Sequence, residues 1–416
     1  MATFDDYVWL TNDASAAAAL AAGAAHYRAE LQQLNELRKS LSAERARLVV
    51  EQLDLRRRAA AKFGVAASAM FFTPVQLEQA TSGQLATYKA ERFREVGGDR
   101  LIHDYCCGIG GDLVALAACG PAVGYDLSPT ICLLAEKNLA VAALMSERSR
   151  DYPSAVREGD VTALDPDARE MWHVDPDRRA DGRRSTTLEQ HSPCPAAIDR
   201  WRSSAPDGAV KLAPASEPPA AWQHEGELEW ITTQRECRQL VVWFGQLAMD
   251  RGKRRATVLL PAPTSDRCDA GVSVASFVGE PRAACSATDA PHQFLYDPDP
   301  AIVASQLLGA IANRHGLHSL GAGGAYLTGD DELAEPLLRG FKVEETLPLR
   351  TAAVAAWLAA RHIGRVEVKK RGVSLDPEQF RRDLKLRGDD EATVILTRVG
   401  KRQLAIVARR LDRPGG

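Results

Sequence analysis

Leu101-Ile102-His103-Asp104-Tyr105-Cys106-Cys107-Gly108-Ile109-Gly110-Gly111-Asp112 reads as a strand, a tight turn and the start of a helix. A short apolar run ends at Asp104, glycines crowd the turn, and Leu113 to Ala118 is apolar again. Glycines there let the backbone pass close to a ligand with its amides outward. The next apolar run, Ala122-Val123-Gly124-Tyr125-Asp126, ends in a second acid 18 residues after Gly108. An acid at that place suits a ribose diol.

A dinucleotide fingerprint requires a third glycine where this chain has Leu113. Acids instead flank the turn, at Asp104 and Asp112. They repel a pyrophosphate and suit a cationic sulfonium that also carries an ammonium group. The pattern therefore favours S-adenosylmethionine over a nicotinamide dinucleotide.

The chain has 416 residues, 45% apolar and 26% charged, room for two or three soluble domains. Its net charge of −3 rules out a uniform polycation. From Arg361 onward the balance is +7, leaving −10 for the rest. That asymmetry suits either a polyanionic partner or a solvated surface. Eight cysteines without a C-x-x-C pair fit small apolar residues in a reducing compartment, and no metal is expected. Acids at Asp5 and Asp6, and an alanine run too short to span a bilayer, lead us to expect a cytoplasmic protein with no membrane partner.

Residues 13–62 read as helices, with Leu31, Leu34, Leu37, Leu41 and Leu48 as a packing stripe and Gly64 as the end. Thr73-Pro74 starts a helix that either covers the methionine end of the ligand or only packs. After Asp126, Ser128-Pro129 starts another. A third strand ends at Gly159-Asp160-Val161, where adenine's amino group needs an acceptor. A fourth, from Met171, ends at Asp175-Pro176, and His173 within it reads as packing. Further strands are expected at 209–212, 238–244 and 256–260. Alternating strands and helices imply a mostly parallel sheet whose ligand lies outside the carboxyl ends of the strands. Asp104, Asp126, Asp160 and Asp175 all fall there.

Residues 177–207 form a polar insertion with Arg178, Arg179, Arg183, Arg184, Arg200 and Arg202, suited to a substrate phosphate or to solvent. Residues 262–290 read as a linker or excursion. Beyond it, Asp376-Pro377 starts a helix with Gln379 at a capping-box position. Residues 393–398 and 403–409 pair as a hairpin. Lys369, Lys370 and Arg371 end a strand, and Arg381, Arg382 and Lys385 line the helix, a surface able to track phosphates but poor in aromatic residues for stacking.

Residues 70–260 resemble class I S-adenosylmethionine-dependent methyltransferases. The likeness is nearest to the RNA cap guanine-N2 (trimethylguanosine synthase-like) enzymes. It rests on Phe72-Thr73-Pro74, on Asp104 to Asp112, on Gly124-Tyr125-Asp126-Leu127-Ser128-Pro129, and on Ala135-Glu136-Lys137-Asn138-Leu139. The C-terminal quarter resembles a THUMP-like, RNA-binding module. The resemblance implies an α/β fold: a Rossmann-like seven-stranded core with a helical N-terminal region and a small α+β C-terminal domain. The boundaries expected are 1–70, 71–265, a linker 266–290, and 291–416. It implies that Asp104 and the turn from Cys106 through Gly108 to Gly110 hold the methionyl part of the cofactor, with Thr73 and Asp112 as further cofactor contacts. Asp126 would take the ribose hydroxyls, Asp160 with Val161 would read the adenine, and Leu127 is a further cofactor contact. Asp175 and Pro176 stand where amine-methylating members hold the target amine. Asp177 and Arg178 depart from that motif, replacing a proline and a base-stacking aromatic. An arginine plane can stack on a base or bind a phosphate. Arg178, Arg179, Lys369, Lys370, Arg371, Arg381 and Arg382 are the expected substrate contacts. Cys106 and Cys107 are not expected to be nucleophiles, because carbon-5 methylation places its cysteine elsewhere. The function expected is methylation of an exocyclic amine or similar nitrogen of an RNA base, in tRNA or rRNA. The alternatives are a methyltransferase on a small molecule or protein, and a non-catalytic cofactor- or RNA-binding factor.

Overall fold

The computed structural model describes residues 2–25, 30–145, 152–177, 179–180, 183–184, 187–261, 272–321, 324 and 326–411. The chain divides into two compact units, residues 1–226 with 241–249, and residues 227–240 with 250–416. No described helix is long and apolar enough to cross a membrane.

The first unit opens with α1 (Phe4–Asn12), α2 (Ala14–Ala25), α3 (Glu30–Leu37) and α4 (Ala43–Phe63). A reciprocal Thr3–Asp6 capping box starts α1. Trp9, Leu10, Ala16, Leu20, Leu48, Val49 and Leu53 form the core of this region. The expected leucine stripe is only partly inward: Leu48 is buried, whereas Leu31 is 69% exposed.

An extended segment follows, and its backbone needs partners because no strand among the described residues pairs with it. Gln52 supplies them for Phe72, donating to its carbonyl at 2.8 Å and accepting from its N–H at 2.9 Å. Asn138 does the same for Phe71, at 2.9 and 2.7 Å, and also donates to the Ile109 carbonyl. Two fully buried amides thus hold this segment.

Next come α5 (Pro74–Gln79), α6 (Gly83–Gly97), β1 (Ile102–Tyr105), α7 (Leu113–Ala117), β2 (Ala122–Asp126), α8 (Pro129–Met145), β3 (Ser154–Glu158), β4 (Met171–Val174), α9 (Pro195–Ser204), β5 (Gly208–Leu212) and α10 (Ala220–Glu225). The strands run parallel in the order β3-β2-β1-β4-β5. All residues of β1 and β4 are buried, as in a sheet covered on both faces. Trp172 pairs with Gly208 across β4 and β5, and a Cβ on Gly208 would sit 2.1 Å from the indole. The expected polar insertion at 177–207 is corrected in its second half, which is packed. Trp201 of α9 is buried, with ring centroids 4.5 Å from Tyr105 and 6.0 Å from Trp172.

The second unit contains β6 (Glu227–Thr233), the first part of β7 (Glu236–Trp243), β8 (Arg254–Pro261) and β9 (Val272–Gly279). Residues 241–243 of β7 belong to the first unit. β8 pairs parallel with β6 and antiparallel with β9. β1 to β9 make nine strands where seven were expected. The two not anticipated are β6 and β9, and β9 lies within the expected linker at 266–290. In β6, buried Glu227 and Glu229 interrupt the apolar pattern. Glu227 pairs with Arg255 at 2.5 Å, and Glu229 accepts from Thr257 at 2.5 Å.

A second sheet follows, built from β10 (Phe294–Pro298), β11 (His318–Leu320), β12 (Leu327–Gly329), β13 (Leu338–Pro348), β14 (Ile363–Arg371), β15 (Asp390–Val399) and β16 (Arg402–Arg410). Their order is β11-β12-β10-β13-β16-β15-β14, with a two-residue edge strand, Ala287–Thr288, beside β11. β15 and β16 form the expected hairpin, and β14 pairs parallel with β15. Helices α11 (Pro300–Ala304), α12 (Leu308–Arg314), α13 (Thr351–Ala359) and α14 (Pro377–Asp383) complete the unit. Val354, Leu358 and Phe380 from α13 and α14 join Val394, Leu396, Ala405 and Val407 in one core. Asp376 caps α14 through the Gln379 N–H, but the Gln379 side chain goes to Asp383, so the capping box is half made.

Gly208→Ala should overpack the Trp172 indole and destabilise the first unit by about 1–3 kcal/mol. Gln52→Ala should cost about 1–3 kcal/mol by leaving buried backbone groups of Phe72 unpaired. Urea unfolding curves check both, and a midpoint equal to the parent's would contradict either.

Candidate active site

The parallel strands of the first unit end together, because Tyr105 is in register with Tyr125 and Val174, and Val174 with Val210. The residues that follow are Cys106, Asp126, Asp175 and Lys211. The turn after β1 needs unusual backbone: φ is 59° at Cys106, 54° at Gly108 and 85° at Gly110. Glycine adopts that region without strain. A Cβ on Gly108 would also lie 2.5 Å from the Gln76 side-chain oxygen, so α5 stands over the turn. Thr73 caps α5, accepting from the Gln76 N–H at 3.2 Å.

Asp126 fastens the turn. Its carboxylate accepts from the Gly108 N–H at 3.2 Å and the Ser128 N–H at 3.0 Å. Burial raises its pKa against the pull of those backbone bonds. Each carboxylate oxygen has a second lone pair, which leaves acceptor capacity for a diol. Leu127 beside it is 67% exposed. Asp160 is exposed beyond β3 and accepts from the Thr162 N–H at 2.8 Å, while Val161 is buried.

Asp104 is 1% exposed at the end of β1. Its Oδ1 lies 2.7 Å from His173 Nδ1, and its Oδ2 is buried with no hydrogen-bond partner among the described residues. An orphaned buried acceptor fits a ligand that brings a cationic donor. Burial raises the Asp104 pKa and the His173 contact opposes it. His173, expected to be plain packing, also approaches Lys89 Nζ at 3.1 Å. Asp112 has two partners within the chain. One of its oxygens ion-pairs with Lys89 at 2.7 Å and the other accepts from Thr81 at 2.7 Å. Burial works to raise its pKa, but Lys89, with Lys211, outweighs it and holds Asp112 well below the usual carboxylate range.

Asp175 follows β4, half-buried, ion-paired with Lys211, and followed by buried Pro176. Burial pushes the Cys106 thiol far up, and the carboxylates of Asp126, Asp175, Asp104 and Asp177 add to the effect. Cys107 is pushed up by burial with Asp104 and Asp126. Strand register puts two of the four expected acids, Asp126 and Asp175, level with Cys106, and a third, Asp104, lies in β1 just before it. Arg178 lies outside the described residues. Arg179 sits in a two-residue strand that pairs with 183–184. The described residues hold no metal-binding cluster of three ligands.

The expected basic surface is divided in the second unit. Lys369 and Arg371 alternate with Lys370 on β14 and both reach the buried Asp297, at 2.9 Å each, as does Arg235 at 3.2 Å. Lys370 is exposed, on the side of Val366 and Val368, which pack on the helix-covered core. Arg381 and Arg382 are exposed on α14, bonded to Glu378 and Gln379. Sequence reading missed Lys89, Lys211, Gln76 and Gln52, and took Asn138 only as part of the 135–139 motif. Of the four missed, Lys89 alone carried a signal, a lysine that falls among the buried positions of α6.

The THUMP domain-like family matches residues 338–410. Two Mycobacterium tuberculosis proteins, from strains CDC 1551 / Oshkosh and ATCC 25618 / H37Rv, are each 34% identical over 381 residues, covering 89% of this chain and 98% of theirs. Both are described as uncharacterized S-adenosylmethionine-dependent methyltransferases. The crystal structure of a Porphyromonas gingivalis W83 protein assigned as a methyltransferase shares the fold, with a TM-score of 0.71 at 20% identity over 90% of this chain and 92% of that one.

A raised thiol pKa keeps the reactive thiolate scarce at neutral pH. Iodoacetamide at pH 8 should therefore label Cys106 far more slowly than exposed Cys194, and peptide mass spectrometry reads the ratio. Equal labelling would contradict the desolvated, acid-lined setting. With its glycine turn, its acid-lined strand ends and relatives matched over nearly their whole length, the chain belongs to the S-adenosylmethionine-dependent methyltransferases.

Proposed function

We propose that this methyltransferase acts on an exocyclic amine or similar nitrogen of an RNA base, in tRNA or rRNA, with residues 291–416 gripping the RNA. The observation that carries the reading is Asp175, which stands one residue past the Tyr105–Val174 pair just as Asp126 stands one past the Tyr105–Tyr125 pair, with Asp104 on the strand between. In this reading Asp104 Oδ2 accepts from the cofactor's ammonium. The backbone from Cys106 to Gly110 follows the methionyl chain beneath α5 and Thr73. Asp126 takes the ribose hydroxyls beside Leu127, and Asp160 with Val161 meets adenine. Asp112 serves Lys89 rather than the cofactor.

The cofactor supplies an electrophilic methyl on a positively charged sulfur. An exocyclic amine is a weak nucleophile, because its lone pair is delocalised. The chain must hold the nitrogen about 3–3.5 Å from that methyl, in line with the sulfur. Asp175 accepts a hydrogen bond from the amine and stabilises the positive charge that develops on nitrogen. As the N–C bond forms and the C–S bond breaks, the spare proton leaves to water, so no strong base is required. Lys211 holds Asp175 in place through its Oδ2. Likeness to the guanine-N2 enzymes supports an amine target, while Asp177 and Arg178 leave the base itself open. The THUMP domain-like match over 338–410 and the exposed Lys370, Arg381 and Arg382 support an RNA partner.

Asp175→Ala should retain cofactor binding and lose about 10²–10³ in turnover. Asp126→Ala should weaken cofactor binding itself, as read by calorimetry. Normal methylation by the first variant, or unchanged affinity in the second, would remove the role assigned. Mass spectrometry of modified nucleosides in RNA from cells with and without the protein tests the substrate class. A missing methylated nucleoside supports it, and identical profiles beside a modified protein or metabolite would favour the alternative substrates.

A further inference from the structure

Lys89 is the one fully buried lysine of α6, and the mechanism above does not use it. Burial pulls its pKa down, and Asp112 opposes that shift. A buried ammonium is costly unless it is paired and hydrogen-bonded. Lys89 has both kinds of partner: Asp112 Oδ1 at 2.7 Å and His173 Nε2 at 3.1 Å. The far side of the same ring meets Asp104 Oδ1 at 2.7 Å. Thr81, Asp112, Lys89, His173 and Asp104 thus form one chain of contacts from α6 to the end of β1.

The direction of this chain follows from its chemistry. An ammonium has donors and no acceptor. His173 Nε2 must therefore accept from Lys89, and the ring proton sits on Nδ1, where it donates to Asp104. The opposite tautomer would aim an N–H at the ammonium and would require Asp104 to be protonated to keep its contact. Two carboxylates, one ammonium and a neutral ring leave one negative charge, on the residue whose second oxygen has no partner among the described residues. We propose that Lys89 and His173 are positioning residues that keep Asp104 an oriented anion, and so set the affinity for the ammonium at the amino-acid end of the cofactor without touching it. The inference rests on the assignment of Asp104 to that ammonium.

Calorimetry with two probes tests it. S-adenosylhomocysteine carries the ammonium, whereas 5′-methylthioadenosine lacks the amino-acid end and reports on the nucleoside pocket alone. In Lys89→Met/Asp112→Asn, which removes the buried pair without leaving a lone charge, the preference for S-adenosylhomocysteine should fall about tenfold, the scale of one charge-assisted hydrogen bond. His173→Leu should behave likewise. His173→Asn, whose amide can replace the Nδ1 donor, should recover much of the preference. Affinity for 5′-methylthioadenosine should stay at the parent's level throughout. Equal loss of both ligands in variants that melt like the parent would reduce the chain to a structural role and overturn the proposal, as would an unchanged preference. If the double variant does not fold, the two His173 variants decide. Asp104→Asn separates the two layers: a lost preference there, with none lost in the relay variants, defeats this inference alone, and no loss at Asp104→Asn defeats the underlying assignment.

Discussion

Like charges held together out of water are the constraint on which the first unit turns. Parallel pairing brings the ends of β1, β2 and β4 to one edge, and each end carries an acid or is followed at once by one. Burial raises the pKa of Asp104 and of Asp126, so their negative charge is sustained only by what surrounds it. For Asp126 the support is one backbone amide from the glycine turn, that of Gly108, and one from its own turn, that of Ser128. For Asp104 it is one imidazole on one oxygen and nothing described on the other. Asp175 has Lys211. A positively charged ligand is the remaining element that such an edge calls for.

The supporting shell comes from the helices. Lys89 and Thr81 reach in from α6 and the residues just before it, and Gln76 of α5 stands over Gly108. Those helices are held in turn by the segment at Phe71 and Phe72, whose backbone is paired by Gln52 from α4 and Asn138 from α8. The N-terminal helices are therefore more than an appendage. They carry one of the two amides that fix the cover over the turn.

Much of this was legible in the sequence, for local reasons. The apolar run into Asp104 and the glycines after it announce β1 and its turn. Ser128-Pro129 and Asp376-Pro377 announce helix starts, and the 393–409 alternation announces a hairpin. What was hidden depended on pairing between distant residues. His173 looks like a strand residue until β4 is laid beside β1, with Asp104 directly across from it. Lys89 meets it across 84 residues. β6 was obscured because its two buried glutamates are compensated by Arg255 and Thr257 on another strand. β9 was obscured because most of its residues are not fully buried, so no apolar period stands out. The basic run at 369–371 was read as one surface, but strand alternation sends Lys369 and Arg371 to Asp297 and Lys370 to the other face.

The most direct test is a crystal structure of the protein with S-adenosylhomocysteine bound. The account predicts the ligand's ammonium within hydrogen-bond distance of Asp104 Oδ2, its ribose hydroxyls on Asp126, and its sulfur facing Asp175. A ligand that lies elsewhere, or that leaves Asp104 Oδ2 without a partner, would contradict it.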